Sequence, residues 1–130
     1  MATISRFEDL EVWQKSRLFN DELYTHIIKS KAVWNFDLKD QILRSAGSCM
    51  DNIAEGFERE GNREFIQFLS YAKGSIGESR SQLYRALDRK YIDVPEFSNL
   101  LLKTEELSKS LSGFIGYLKS TPHRGNKFKS

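Results

Sequence analysis

The chain is short of cysteine, of long apolar runs, of strand-like alternation and of charge imbalance, and each shortage removes a class of protein. Cys49 is the only cysteine, so no disulfide closes within the chain. A nucleophilic role for it would need a base close by. The two histidines, His26 and His123, are distant in sequence, and a small buried hydrophobe is the expected reading. No apolar run reaches the length that spans a bilayer, and no leader-like segment stands at the start. A soluble, cytoplasmic protein with no membrane partner is therefore expected. Apolar and polar residues nowhere alternate over a useful length, which argues against a sheet. A di-metal helical bundle would want Glu-x-x-His on facing helices, and neither histidine has Asp or Glu three residues before it. No catalytic residue, metal or cofactor is expected.

The charge balance is 20 basic against 18 acidic residues. Lys119, Arg124, Lys127 and Lys129 all lie in the last dozen residues, where there is no Asp or Glu. Taking those four from 20 leaves 16 basic against 18 acidic in residues 1–118. The body is slightly acidic, which weakens a whole-protein argument for nucleic-acid binding.

What the chain does hold is helical periodicity, densest in residues 41–60. Ile42, Ala46, Cys49, Ile53 and Phe57 recur at steps of three and four and make an apolar stripe. Gln41, Arg44, Ser48, Asn52 and Glu55 make a parallel polar stripe. Small and amide side chains on that stripe suit packing against another surface; a solvated face is the alternative. Ser45-Ala46-Gly47-Ser48 is a run of small residues, and Gly47 costs on the order of 1 kcal/mol in mid-helix. Ala72-Lys73-Gly74-Ser75-Ile76-Gly77-Glu78 repeats the pattern. Close helix packing is the expectation for both runs, with Glu78 bonding to Arg44 or Asn52 across two helices. A phosphate loop is not indicated, because no strand precedes the glycines and no Gly-Lys-Ser/Thr follows.

Four helices are predicted. The first runs from about Phe7 to Ser30, with Leu10, Trp13, Leu18, Phe19, Leu23, Tyr24 and Ile27 as a broad apolar face. Val33, Trp34 and Phe36 then plug the bundle end. Asp37 is a candidate N-cap for the second helix, which extends to about Glu58. Gly61 suits a C-cap and Asn62 the next N-cap. The third helix spans about Arg63 to Arg89, and Tyr91-Ile92-Asp93 forms a turn. Asp93 caps the fourth helix, with Pro95 in its first turn and Glu96 at capping-box spacing. Similar helix lengths and short connections give an all-α, antiparallel up-and-down four-helix bundle over 1–119. Residues 120–130 read as a flexible basic tail. Arg80, Arg85, Arg89 and Lys90, joined by Arg124, Lys127 and Lys129 of the tail, form a candidate cationic patch for RNA or DNA phosphates. Ordinary solubilising charge is the competing explanation.

The segments FEDLEVWQKS at 7–16, QILRSAGSCMDNIAEGFER at 41–59, FIQFLSYAKGSIGES at 65–79 and YID at 91–93 resemble the four-helix bundle proteins encoded by intervening sequences in bacterial 23S rRNA genes. That family is in turn similar to the accessory protein of diversity-generating retroelements. The likeness covers nearly all of the chain except the tail. It implies an up-and-down bundle assembling as a ring-like homopentamer, without known enzymatic activity. In the retroelement relative it implies a basic surface for nucleic acid and reverse transcriptase. One departure is visible: the family usually has Glu-Leu where this chain has Glu78-Ser79. The leading expectation is an oligomeric bundle that binds nucleic acid, and the alternative is a protein-interaction scaffold.

Overall fold

Capping residues and 3.6-residue periodicity divide the chain into four helices. The computed structural model describes residues 3–121 and 128–129. Its helices are α1 (Glu11–Lys29), α2 (Phe36–Glu58), α3 (Asn62–Asp88) and α4 (Val94–Ser120). Each lies against its neighbour in sequence, and α1 closes on α4. This is the up-and-down four-helix bundle that the periodicity predicts. At 27 residues each, α3 and α4 are about 40 Å long. The α1–α2 and α3–α4 connections share one end of the bundle, and the α2–α3 connection lies at the other.

The apolar stripe of α2 is fully buried from Ile42 through Ala46, Cys49 and Ile53 to Phe57. Across from it lie Phe65, Leu69, Ala72, Ile76, Leu83 and Ala86 of α3, equally buried. Phe57 and Phe65 meet edge to face at 5.8 Å, and Phe65 meets Phe114 of α4 at 5.5 Å. Each large side chain buried in this way stabilises the fold by roughly 1.5–3 kcal/mol.

Helix starts differ from expectation at three places, each for a local reason. Residues Phe7–Asp9 form a separate 3-10 turn, and the chain is extended at Leu10 before α1 begins. Phe7 and Trp13 pack at 5.2 Å, and Leu10 is buried, so apolar contact folds this segment in against α1. The N-cap of α2 is Asn35, whose Oδ1 accepts from the Asp37 N–H at 2.8 Å; Asp37 sits inside the first turn. Gly61, at φ +146°, begins α3. The Asn62 side chain instead donates to the Leu118 carbonyl of α4 at 2.9 Å. Asp93 does cap α4, accepting from the Glu96 N–H at 3.0 Å.

Two apolar assignments also change. Trp34 is buried and stacks on Tyr91 at 5.3 Å, but Val33 and Phe36 are 91% and 71% exposed. Only Trp34 plugs the bundle end. On α1, Phe19, Leu23 and Ile27 face inward, while Leu18 and Tyr24 are exposed. A four-helix bundle leaves each helix a limited inward stripe, and the predicted face was wider than that.

The chain ends meet in a short antiparallel ladder. β1 (Thr3–Ile4) pairs with β2 (Phe128–Lys129), Thr3 opposite Lys129 and Ile4 opposite Phe128. Residues 122–127 lie outside the described residues, and so does most of the tail expected to be flexible.

Candidate assembly and nucleic-acid surfaces

Of the polar stripe of α2, Gln41, Arg44 and Glu55 are exposed and Ser48 and Asn52 half-buried; some members bond within α2 and two reach α3. Gln41 accepts from Arg85 Nη1 of α3 at 3.0 Å. Arg44 pairs with Asp40 at 3.0 Å, and Glu55 with Arg59 at 2.9 Å. Both are exposed pairs one helical turn apart, a class of contact that contributes tenths of a kcal/mol. Asn52 donates to the Ser48 carbonyl at 2.8 Å and to its hydroxyl at 3.0 Å. Ser48 in turn meets Ser75 of α3 at 3.0 Å. Glu78 does not reach Arg44 or Asn52. It accepts weakly from Gln82 Nε2 at 3.4 Å, because it stands a turn from Gln82 on α3 while Arg44 is held by Asp40.

A buried polar cluster lies one position inward of that stripe. Ser45, Ser79 and Gln82 are almost wholly enclosed between α2 and α3. The hydroxyls of Ser45 and Ser79 are 2.7 Å apart, and Ser45 Oγ donates to Gln82 Oε1 at 2.6 Å. Ser45 has one proton, so with that proton on Gln82 the Ser79 hydroxyl donates to Ser45. The sequence carried a signal for this cluster. The α3 stripe steps from Ile76 to Leu83 and needs an inward residue between them, and Ser79 fills that position.

The glycines sort differently from the sequence expectation. A Cβ placed on Gly47, Gly74 or Gly77 would meet nothing within 4 Å. These positions do not bring the helices of the bundle together. Gly56 does: a Cβ there would lie 2.5 Å from Phe68 Cβ and 3.1 Å from Phe65 Cδ1. Gly56 is the close-approach site of α2 on α3. Gly47 instead lines a shallow hollow on the outer face of α2 with Arg44, Ser48, Asp51, Asn52 and Glu55, and Gly74 and Gly77 are exposed on α3.

The candidate basic patch divides. Arg80 pairs with Glu105 of α4 at 3.1 Å and so lies on the α3–α4 side. Arg85 bonds Gln41 and lies on the α2–α3 side. Arg89 and Lys90 are exposed at the end of α3. The tail leaves α4 at the opposite end, and Lys129 is in the ladder there. Within one subunit the two groups are separated by about the length of α3, roughly 40 Å. Arg124 and Lys127 lie outside the described residues.

Cys49 is inert in this setting. Burial pushes its thiol up to about 11, so it stays protonated and non-nucleophilic at neutral pH. Among the described residues, no group of three or more His, Cys, Asp or Glu is placed to hold a metal ion. Nor is any helix among them long and apolar enough to cross a membrane.

Residues 8–113 match the family model described as 23S rRNA-intervening sequence protein. A crystal structure from Bacteroides thetaiotaomicron VPI-5482, described as a protein with unknown function from the S23 ribosomal protein family, is similar in fold. It shares 25% identity with this chain, over 80% of this chain and 97% of its own, at a TM-score of 0.72. No curated protein matches the sequence.

Proposed function

The chain belongs to the 23S rRNA-intervening sequence protein family, and from that premise we propose that it is a non-enzymatic, self-assembling helical bundle that binds nucleic acid through basic surfaces. The observation that carries the assembly is that, among the described residues, nothing lies within 4 Å of a Cβ position at Gly47, Gly74 or Gly77. Three mid-helix glycines cost the isolated helices about 2–3 kcal/mol together relative to alanine. A helix of another copy seated against these glycines would offset that cost by close backbone approach. A closed ring of five copies is the assembly that the family resemblance implies, built from one repeated heterologous contact.

Nucleic-acid binding is supported by Arg89 and Lys90, which have no carboxylate within ion-pair distance among the described residues. A ring repeats such a group around its rim and so multiplies weak phosphate contacts. The name of the family refers to a ribosomal RNA gene; it makes no ribosomal component of this chain. Light scattering of the purified protein tests the assembly, and a stable monomer would sink it. Filter binding of RNA at two salt concentrations tests the second half. Affinity that falls steeply with salt is expected, and no binding at low salt would leave only the scaffold reading. That second reading is favoured by Leu18 and Tyr24, apolar side chains 61% and 53% exposed on α1, where a partner protein could seat.

A further inference from the structure

The bundle end that carries Trp34 and Tyr91 gathers cations from two connections far apart in sequence. Lys29 ends α1, Lys31 follows it, and Lys90 follows α3. Together with His26, Asp93 and Val94 they line an open hollow of about 870 Å³. None of the three lysines has a carboxylate within ion-pair distance among the described residues. The one acid in the wall, Asp93, caps α4 by accepting the Glu96 N–H and keeps its charge, and on their other side Lys29 and His26 border a smaller hollow with Asp21, Glu22 and Glu96. His26 adds a ring nitrogen, Nε2, that is buried without a hydrogen-bond partner.

The backbone adds an independent observation. Tyr91 N–H bonds the Ala86 carbonyl at 2.9 Å, and Lys90 N–H bonds that of Leu87 at 3.0 Å. This is a Schellman end to α3, which places its C′ residue in the left-handed region. Glycine is the usual occupant, but here it is Lys90, at φ +62°, the only non-glycine residue with positive φ among those described. A strained position occupied by a cation at the rim of a cationic hollow points to use of its side chain.

We propose that this bundle end is a phosphate-binding site and that its ligand is the backbone of single-stranded nucleic acid. The proposal rests on the nucleic-acid reading above and assigns its contact to Lys29, Lys31 and Lys90, not to Arg80, which is held by Glu105. The hollow is open and its lysines are mobile-stemmed point charges, which suits a passing chain of phosphates better than one enclosed small anion. Val33, Phe36 and Val94 are exposed at the same end and offer apolar surface to unstacked bases, which a duplex would not present.

The test is fluorescence anisotropy of a labelled single-stranded RNA over a salt series, with intact protein. One variant combines Lys29→Gln, Lys31→Gln and Lys90→Gly; the glycine suits the backbone and keeps the fold intact. A charge-matched variant combines Lys73→Gln, Arg80→Gln and Lys109→Gln along the bundle's length. Three lost contacts lower the slope of log affinity against log salt by about 2. That loss is expected in the first variant, with the wild-type slope kept in the second. Equal losses in the two overturn the assignment to the bundle end and leave nucleic-acid binding standing. A wild type that ignores RNA but shows amide shifts with sodium tripolyphosphate at residues 29–32 and 87–94, lost in the first variant, keeps a phosphate site and removes nucleic acid as its ligand. Neither RNA nor tripolyphosphate binding overturns both.

Discussion

Gly56→Ala is the substitution for which the structure gives the most definite cost. The added methyl would lie 2.5 Å from Phe68 Cβ and 3.1 Å from Phe65 Cδ1. Ordinary carbon contacts lie near 3.5–4.0 Å, so about 1 Å must be found. Phe65 could yield by a ring tilt. Phe68 could not, because its Cβ moves only with the α3 backbone, and α3 is fixed by the buried row from Phe65 to Ala86. Overpacking of this kind costs about 1–3 kcal/mol, and the backbone contact places this case at the upper end. Replacing a mid-helix glycine by alanine returns up to about 1 kcal/mol, leaving a net loss of about 2 kcal/mol. At about 2 cal/mol/K of unfolding entropy per residue, this loss lowers Tm by about 7 °C for a chain of this size. Circular dichroism melting at one fixed protein concentration reads it. A variant as stable as wild type would mean that α2 and α3 do not meet at Gly56, and the account of their close approach would fail.

Lys90→Gly, at the left-handed end of α3, is expected to stabilise the protein by about 1 kcal/mol in denaturant titration. In the buried cluster, Ser79→Ala should cost about 1 kcal/mol. Ser45→Ala should cost more, since Gln82 Oε1 loses its donor; a double-mutant cycle should return a coupling near 1 kcal/mol. The Cys49 thiol is raised from 9.0 to about 11 in the fold, so the unfolded chain ionises first. The stability it contributes is complete below pH 9 and is lost as pH rises to 11, by about 2–3 kcal/mol at most. Cys49→Ala should lack that part of the alkaline fall when the two proteins are unfolded side by side. Finally, Gly47→Ala, Gly74→Ala and Gly77→Ala together should raise helix content and weaken assembly, read by sedimentation; unchanged mass would remove these positions from the interface.

The fold was legible because α2 and α3 each repeat apolar residues at threes and fours, and a bundle buries one stripe per helix. Ile42 to Phe57 and Phe65 to Ala86 could be read without reference to any partner. Caps were less legible. Asn35 and Asp37 are both good cap residues two positions apart, and the choice depended on where the Trp34–Tyr91 stack placed the chain. Leu18 and Tyr24 were misread because composition gives the width of an apolar face but not how much of it the neighbouring helices cover. The division of the basic patch was legible in the predicted topology: a full-length fourth helix between Lys90 and the tail in an up-and-down bundle puts the two groups at opposite ends.

The glycines carry the sharpest version of that limit. Gly47, Gly56, Gly74 and Gly77 are all mid-helix, and sequence alone gives each the same penalty of about 1 kcal/mol. One of them, Gly56, recovers it inside the subunit by admitting Phe68. A Cβ at the other three would meet nothing within 4 Å among the described residues. A residue that is unfavourable locally and unused intramolecularly must either be tolerated as a small defect or be used by something outside the chain. Gly47 on α2 and Gly74 and Gly77 on α3 each leave backbone accessible at a helix surface, and assembly of copies is the use proposed for them. A second copy approaching any of them would find backbone at the surface with no side chain in the way, which is the condition under which helices pack most closely.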